Sequence, residues 1–509
     1  MKTVVGAIAL CFVTTQLSAQ TPSHARTILI RGATVVDGSG GPARSVDVRI
    51  AGDRIEEIGR LMATPRDSVI DAHGLILAPG FIDTHSHHDE RLDSERTALA
   101  AVSQGITTIV AGQDGWFSFP LADFFARFQA RPAAINVASY VGHGRLRSLI
   151  MGDDFKRHAT AAEVRHMGAL LQGEMAAGAL GLSSGLEYDP GIYSSTEELI
   201  ALARISAVAG GRYISHIRSE DKHFWSAIDE AIAIGRVAHL PVQISHAKLA
   251  MRSLWGHADS LLARLDRARA AGVAVTLDIY PYSYWHSTLT VLFPERNFHD
   301  TAYARFALTE VTLADSAYLS DFEPDTALVG KSIAQIAAAR GQDPAATLID
   351  LIDQAQQPKP GGGEYAEGVI ATSMVQPDID RILMWRYANL CSDGALDGGH
   401  PRGFGAFPRF FRQYVRERHL LSLEEAVRRT TSLAARNVGI VNRGRIAPGY
   451  FADLVLLDTT TLAERSTPTQ PHLTATGIKA VWVNGVLVYD GAVTGALPGQ
   501  VIRRAATRR

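Results

Sequence analysis

The feature that most constrains the fold of this chain is a regular alternation of short apolar runs with stretches of helical periodicity. Helical patterns such as Thr160–Ala176 and Ser195–Ala209 separate apolar runs that predict β-strands. Repeated alternation of this kind predicts an α/β protein with a parallel (β/α)8 TIM barrel rather than an open sheet. The eight predicted strands are Leu75–Asp83, Ile106–Ala111, Ala134–Tyr140, Leu180–Ser183, Tyr213–His216, Val242–His246, Val273–Asp278 and Asn389–Asp393.

Two further regions complete the predicted organisation. The interval Tyr284–Tyr387 lies between the last two strands and is far longer than an ordinary connection, so we interpret it as an inserted subdomain or lid within a barrel of residues 75–439. Residues 27–74 and 440–509 contain short β-rich runs without a helical pattern, and Asn484-Gly485 predicts a two-residue hairpin turn. We therefore expect both ends of the chain to meet in one small β-sandwich.

The first 19 residues have the pattern of a signal peptide. Lys2 supplies a positive charge, Val4–Val13 is an apolar run too short to span a bilayer, and Ala19 ends a small-residue cleavage site. A buried N-terminal helix is the alternative, which the polar stretch Thr21–Arg26 disfavours. The sequence thus predicts a secreted protein, in the periplasm, without a membrane anchor.

The charge balance argues against nucleic acid as a partner. The chain has 50 Lys and Arg residues against 52 Asp and Glu residues, a formal net charge of −2, and no basic patch with stacking aromatic residues is visible. A nucleic-acid deaminase is disfavoured for the same reason. Removal of the first 19 residues leaves Cys391 as the single cysteine, so the mature protein has no internal disulfide bond.

The strongest local motif closes the first predicted strand, where His85 and His87 are separated by one residue. Residues two apart in extended backbone point to the same side, so both imidazoles can bind one metal ion. The carboxyl end of a barrel strand is also where active sites of this fold open. A single histidine is usually structural, but a pair with this spacing at a strand end is typical of metal ligands.

The fifth and sixth predicted strands also end in histidine, each within an Ile-Ser-His pattern. His216 is followed two residues later by Arg218, and His246 is followed by Lys248. This spacing places an imidazole and a cation together at the barrel mouth. The alternative is that both are hydrogen-bonded histidines of the core. The upstream pair His85 and His87 disfavours this alternative.

Asp393 ends the last predicted strand within Ser392-Asp393-Gly394. A carboxylate beside a metal ion can bind the ion and accept a proton from water, whose pKa such an ion lowers to about 7. The alternative is a helix cap or turn former, which Ser-Asp-Gly also fits. The position at the eighth strand end favours a catalytic role for Asp393. Together, His85, His87, His216, His246 and Asp393 suffice to bind one or two divalent ions.

With these motifs the chain resembles the amidohydrolase superfamily and, within it, the D-aminoacylase (N-acyl-D-amino-acid deacylase) family. The resemblance covers nearly the whole mature chain. The motifs that carry it are Pro79–His87, Gly142–Arg147, Gly181–Tyr188, Ser215–Glu220, Asp278–Tyr282, Ser392–Gly394, His400–Arg402 and Gly444–Asp458.

The resemblance implies zinc as the cofactor, with one or two divalent ions bound. It implies His216 and His246 as ligands of one zinc, with His85 and His87 at a second and often weaker position. Asp393 is similar to the catalytic base of the family.

The resemblance also implies a set of substrate-binding residues suited to the carboxylate or carbonyl of a small N-acyl amino acid. Of these, Lys248 and Tyr282 are the favoured candidates, although the tyrosines also fit a packing role in the wall. The set is Tyr188, Arg218, Lys248, Tyr282 and Ser287.

One position departs from the family pattern. The second strand of the family usually ends in Gly-Asn-Cys-Gly, whose thiolate binds zinc, whereas this chain has Gly112-Gln113-Asp114-Gly115. The carboxylate of Asp114 can bridge two ions through its two oxygen atoms, and a harder donor leaves manganese and other divalent ions possible. The alternative is that Asp114 is only a turn residue.

These observations predict metal-dependent hydrolysis of the amide bond of N-acyl-amino acids, with N-acyl-D-amino acids implied by the resemblance. In this hypothesis Asp393 accepts the proton of the attacking water and passes it to the departing amine. Other amidohydrolase activities, such as a dipeptidase or a cyclic amide or imide hydrolase, remain alternatives. A non-catalytic binding protein is a more distant one. The acyl group, the side chain accepted, the stereochemistry and the oligomeric state do not follow from the sequence.

Overall fold

A computed structural model describes residues 26–360, 362–363 and 365–505 of the chain. The predicted signal peptide lies outside these residues, and its role stays a prediction. Within the described ranges, no helix has both the length and the apolar character needed to cross a membrane.

The centre of the molecule is an array of parallel strands that neighbour each other in chain order. The third of them is interrupted at Tyr140, so one part pairs with the strands before it and the other with the strands after it. Taking its two parts together, we number the strands 1 to 8. They are Phe81–Asp83, Ile106–Ala111, Asn136–Ser139 with Val141–Gly142, Gly181–Gly185, Arg212–His216, Val242–Ile244, Val275–Ile279 and Ala388–Leu390. This arrangement confirms the predicted α/β class and the order of the strands.

Helices connect the strands as the periodicity predicts. The helix Ala161–Ala177 begins at a capping box, in which Thr160 and Glu163 satisfy each other's backbone N–H groups. It ends where Gly178 adopts a left-handed conformation. The helices of this region are Leu99–Val102, Leu121–Ala130, His143–Met151, Ala161–Ala177, Thr196–Val208, Phe224–Ala238, Ala258–Ala270, Gln376–Leu383, Arg402–Phe410, Phe411–Glu417, Leu423–Thr430 and Ser432–Val438.

The first predicted strand, Leu75–Asp83, is divided in the structure, which corrects the prediction of one continuous strand. Ile76–Pro79 pairs with strands from the two chain ends, and only Phe81–Asp83 joins the parallel array. The switch occurs at Gly80, where a Cβ atom would lie 2.2 Å from the side chain of Thr107. Glycine is therefore the residue that allows the backbone to pass from one sheet to the other.

Strands near the two ends of the chain form two further sheets, and the two ends meet in one of them. In that sheet, Ile76–Pro79 pairs with Thr34–Val35 on one side and with Leu454–Leu457 on the other, so the N- and C-terminal regions share hydrogen bonds. The predicted hairpin turn is confirmed, with positive φ angles of 50° at Asn484 and 78° at Gly485. The strands are Thr27–Arg31, Thr34–Val35, Arg44–Ser45, Asp47–Ala51, Arg54–Gly59, Asp67–Asp71, Ile76–Pro79, Leu454–Leu457, Ile478–Val483 and Val486–Tyr489.

The long interval between strands 7 and 8 has secondary structure of its own. It contains an antiparallel sheet of Tyr284–Ser287, Ala317–Phe322 and Glu367–Thr372. Its helices are Thr301–Phe306, Ala307–Val311, Ile333–Arg340 and Pro344–Ala355. The insertion ends earlier than the predicted residue 387, because Gln376–Leu383 packs against strands 7 and 8 as a connecting helix.

Candidate metal centre

The carboxyl ends of strands 1, 2, 5, 6 and 8 place a set of histidines and carboxylates in one buried region. Within each of two groups, the candidate ligand atoms all lie within 4.8 Å of one another. We call the group of His85, His87, Asp114 and Asp393 position A. Asp114 also belongs to the second group, with His216 and His246, which we call position B.

Position A is centred on two carboxylate oxygens that face two imidazoles. Oδ2 of Asp114 lies 3.3 Å from Nε2 of His85 and 3.2 Å from Nε2 of His87. Oδ1 of Asp393 lies 3.5 Å from each of the same two nitrogens. The two histidines that the spacing placed on one side of the strand therefore do point to a common space.

Position B uses the other oxygen of Asp114. Nδ1 of His216 lies 3.1 Å from Nε2 of His246, which in turn lies 3.6 Å from Oδ1 of Asp114. This Oδ1 atom is buried and has no hydrogen-bond partner among the described residues. A buried oxygen without a partner is costly, so its position points to a bound group that the carboxylate would contact.

The separations within both positions fit divalent metal ligation. Ligand atoms about 2.0–2.1 Å from a tetrahedral ion are about 3.3–3.4 Å from each other. The donor pairs described above lie between 3.1 and 3.6 Å apart. Position B has three protein donors, which leaves a fourth place open, as catalytic zinc sites do.

Electrostatics keep the carboxylates of both positions in the form that binds metal. Burial alone would raise the pKa of Asp114, but its interactions with His85 and His246 outweigh burial and hold the pKa well below its usual range. The same balance applies to Asp393, whose pKa is lowered chiefly by Arg402. Ionised oxygen donors are what a hard divalent cation requires.

The backbone turns sharply where the ligands leave their strands. Asp114, His246 and Asp393 have φ angles of 52°, 31° and 49°. Such left-handed conformations are uncommon outside glycine and concentrate at functional sites. Asp278, in strand 7, fixes one of these turns because its Oδ1 accepts the backbone N–H of His246 at 2.6 Å.

A carboxylate contacts the second ring nitrogen of each histidine of position B, and neither contact was predicted from the sequence. Nε2 of His216 lies 2.9 Å from Oε2 of Glu187, and Nδ1 of His246 lies 3.1 Å from Oε1 of Glu220. A carboxylate on the second ring nitrogen fixes the tautomer and the orientation of a metal-binding imidazole. Both glutamates lie inside the quoted motifs Gly181–Tyr188 and Ser215–Glu220, which was the available signal.

Lys248 is buried at the cavity as expected, but its ammonium group is already paired. Its Nζ atom lies 2.7 Å from each carboxylate oxygen of Glu220. Burial lowers the pKa of Lys248, but the charge of Glu220 outweighs this effect and raises it. The lysine therefore holds a carboxylate of the protein itself.

Arg402 is a further residue of the site, for which the motif His400–Arg402 was the available signal. Its Nη1 atom lies 2.7 Å from Oδ2 of Asp393, and both side chains are buried. Its Nε atom has no hydrogen-bond partner among the described residues. One face of Arg402 thus holds Asp393, while a buried donor remains available to a ligand.

The structure corrects the position of the tyrosine expected to bind substrate. Tyr282 does not line the cavity, because its ring packs against Arg409 with 4.6 Å between the guanidinium carbon and the ring centre. Tyr280 lines the cavity instead, between Lys248 and Arg402. The hydroxyl of Tyr280 is buried and lacks a partner among the described residues.

Arg218 is also placed elsewhere than expected. Its guanidinium pairs with both oxygens of Glu230, at 2.9 Å each, and lines a separate cavity. The alternation that would align it with His216 ends with strand 5, so the side chain turns toward the following helix, Phe224–Ala238.

Tyr188 and Ser287 lie at the cavity as expected. The ring of Tyr188 is 4.5 Å from that of His216, and its hydroxyl oxygen accepts a hydrogen bond from Oγ of Ser287 at 3.5 Å. Because Ser287 belongs to the insertion, this contact joins the insertion to the loop after strand 4.

Comparison with known proteins gives consistent matches over most of the chain. Residues 68–312 and 391–489 match the amidohydrolase family. The chain is 37% identical to the N-acyl-D-glutamate deacylase of Alcaligenes xylosoxydans xylosoxydans, over 94% of this chain and 97% of that protein. It is 35% identical to a D-aminoacylase of the same organism, over 96% of this chain and 99% of that protein.

A solved structure is similar in fold as well as in sequence. It is an N-acyl-D-glutamate deacylase from Bordetella bronchiseptica, in complex with zinc and a phosphonate inhibitor that mimics the tetrahedral intermediate of its reaction. It matches this chain with a TM-score of 0.84 and 35% identity, over 94% of this chain and 100% of that chain.

Proposed function

The chain belongs to the amidohydrolase family, and on this premise we propose that it is a metal-dependent hydrolase of N-acyl-D-amino acids. The reaction cleaves the amide bond and releases a carboxylic acid and a D-amino acid. The observation that carries this proposal is the convergence of histidines and carboxylates from five strand ends into positions A and B. The names of the two relatives described above support the D configuration.

We infer that strands 1 to 8 close into a (β/α)8 barrel with the metal centre at its carboxyl end. Two backbone hydrogen bonds between the segments after strands 1 and 8 support closure. The N–H of Asp393 donates to the carbonyl of His85, and the N–H of His87 donates to the carbonyl of Gly394, both at 2.9 Å. Placement of the site at this face is the rule for barrel enzymes.

We assign the metal ligands by the fit of the donors. His216, His246 and Oδ1 of Asp114 would hold one ion, and His85, His87, Asp393 and Oδ2 of Asp114 would hold a second. When bound, a zinc ion supplies Lewis acidity that polarises the substrate carbonyl and acidifies water. Because Asp114 contributes oxygen rather than sulfur, manganese and other divalent ions can also occupy these positions.

Asp393 is the residue that we assign as the general base. Its Oδ2 is held by Arg402, so Oδ1 is the oxygen that faces the imidazoles of position A. Oδ1 accepts the proton of the attacking water and then delivers it to the nitrogen of the departing amine. The lowered pKa of Asp393 keeps this carboxylate ionised in the resting protein.

The carboxylate of the amino-acid half is assigned to Arg402 and Tyr280. Each has a buried polar atom without a partner among the described residues, and both line the cavity. A carboxylate bound there would satisfy both atoms with charge-assisted hydrogen bonds. Lys248 stands beside them, but Glu220 already occupies its ammonium group.

The test combines metal analysis of the purified protein with a substrate panel. We expect one or two equivalents of divalent metal, together with hydrolysis of N-acetyl-D-amino acids and much slower hydrolysis of the L-enantiomers. Dipeptides and cyclic imides complete the panel. If the metal-loaded protein hydrolyses dipeptides or cyclic imides in preference to N-acyl amino acids, that amidohydrolase activity replaces the proposal. Bound metal without any turnover would favour a binding protein.

We also propose that the first 19 residues direct export to the periplasm. Expression of the full chain in a Gram-negative host, followed by fractionation and N-terminal sequencing, tests this directly. A periplasmic product that begins at Gln20 is the expected result. A cytoplasmic product that retains Lys2 would contradict it.

A further inference from the structure

The cavity above the metal centre is larger than a small N-acyl amino acid requires. Its volume is about 1000 Å3. That is the upper end of the range of about 300–1000 Å3 that accommodates drug-sized ligands, whereas an N-acetyl amino acid is far smaller. A small N-acyl amino acid bound at the metal centre would therefore fill only part of the cavity volume.

One side of this cavity is formed by four aromatic side chains that are not fully buried. We call them the aromatic rim, and they are Trp116, Phe155, Tyr188 and Tyr193. The indole of Trp116 is 44% exposed, only two residues beyond Asp114. The rings of Phe155 and Tyr193 are in contact, with 5.8 Å between their centres. Exposed aromatic surface gathered around a cavity marks a ligand-binding region.

The aromatic rim lies opposite the groups assigned to the substrate carboxylate. Its members follow strands 2, 3 and 4, whereas Lys248, Tyr280 and Arg402 follow strands 6, 7 and 8. In a closed ring of eight strands, strands 2 to 4 face strands 6 to 8 across the axis. A substrate whose carboxylate contacts Tyr280 and Arg402, and whose amide lies over the metal centre, would extend its acyl group toward the rim.

Charges on the rim side are mostly engaged by the protein. Asp189 pairs with Arg296 at 3.0 Å, and Glu187 holds His216 at 2.9 Å. Lys156 also lines this side, and its Nζ lies 5.9 Å from the ring centre of Phe155. The side of the cavity that faces the acyl end therefore combines exposed aromatic carbon with the cation Lys156.

We propose that the aromatic rim is an acyl-binding subsite that selects substrates with bulky apolar acyl groups, such as arylacetyl or medium-chain alkanoyl groups. This inference rests on the proposed function for the position of the amide. Burial of the acyl group against exposed aromatic carbon supplies the selectivity, because each additional apolar group removed from water strengthens binding.

The kinetic test uses one D-amino acid with a series of acyl groups: acetyl, hexanoyl, phenylacetyl and succinyl. We expect kcat/KM for the phenylacetyl or hexanoyl substrate to exceed that for the acetyl substrate by at least about tenfold. Trp116→Ala should reduce this ratio by about tenfold, and Trp116→Phe should largely retain it. Tyr318→Ala is the matched control, since Tyr318 is 43% exposed but does not line the cavity.

Several outcomes would overturn the subsite. Equal kcat/KM for acetyl and phenylacetyl substrates would do so, as would an unchanged ratio in Trp116→Ala. A preference for the succinyl substrate would instead assign this side to a charged acyl group held by Lys156. A preference for a dipeptide over its phenylacetyl counterpart would assign it to an aminoacyl group.

A binding measurement separates failure of the subsite from failure of the proposed function. Calorimetric titration of the metal-loaded protein with phenylacetate and acetate, the two product acids, does not require turnover. Tighter binding of phenylacetate, lost in Trp116→Ala, supports the rim even if no amide is hydrolysed. Equal binding of both acids by a protein that does hydrolyse N-acyl amino acids rejects the rim alone.

Discussion

Positions A and B share Asp114 but differ in what supports their histidines. Behind position B, Glu187 and Glu220 each hold the second ring nitrogen of a candidate ligand. Behind position A, Nδ1 of His85 is buried without a partner among the described residues. Nδ1 of His87 lies 3.5 Å from Glu90, whose side chain is 65% exposed.

This difference indicates two separate tasks. Imidazoles held by buried carboxylates are preorganised, so we expect position B to bind an ion more tightly than position A. Position A has less support for its histidines, but it contains Asp393 and, through it, Arg402. We infer that position B holds the essential ion while position A supplies the proton-transferring group.

The largest effect is expected from substitution of Asp393, which tests whether proton transfer and metal binding depend on different positions. Asp393→Asn removes the proton acceptor, so kcat should fall by about 10²–10⁴-fold, the usual contribution of a general base. The ion at position B should stay bound, as measured by metal analysis of the same preparation. Asp259→Asn, at a surface ion pair with Arg381, is the control. Full turnover with normal metal content would remove Asp393 from the mechanism.

The next effect compares one ligand from each position. His246→Ala should weaken zinc binding at position B by more than the factor of about 10–100 that follows from loss of an outer partner. His87→Ala should release the ion of position A and leave the other bound. Metal stoichiometry and competition with a chelator measure both. If the two variants lose the same ion with equal ease, the distinction between the positions is wrong.

A smaller effect is expected from the carboxylates behind the histidines. Glu220→Gln and Glu187→Gln keep the size of the side chain but weaken its hold on the imidazole, so zinc affinity should fall about 10–100-fold. Glu90→Gln is the matched change behind position A. Because Glu90 is largely exposed, its replacement should have little effect. An equal loss of affinity in all three variants would contradict preorganisation of position B.

The smallest effect concerns the choice of ion rather than its retention. Asp114→Cys replaces a hard oxygen donor by a soft thiolate, so the affinity for zinc relative to manganese should rise by about tenfold. Binding of both metals to the wild type and the variant measures the ratio. An unchanged ratio would mean that Asp114 does not contact either ion.

The contrast between Tyr280 and Tyr282 shows where inference from the sequence stops. Both follow strand 7, and the motif that contains them indicated a substrate-binding tyrosine, yet Tyr282 packs against Arg409 and Tyr280 faces the cavity. Arg218 differs from Lys248 in the same way, since only the lysine reaches the cavity. In each case the residue lies beyond the last hydrogen-bonded position of its strand, where the alternation of side chains no longer holds.

The sequence by itself determined the α/β class, the order of the parallel strands and the histidines and aspartates at their ends. The class and the strand order follow from local periodicity, whereas most of the candidate ligands lie just beyond their strands and come together because they share the carboxyl edge of the parallel array. The division of the first strand at Gly80 was decided by close contact with Thr107. Only the tertiary structure brought Glu187, Glu220 and Arg402 to the candidate metal ligands, because their hydrogen bonds join residues that no local pattern relates.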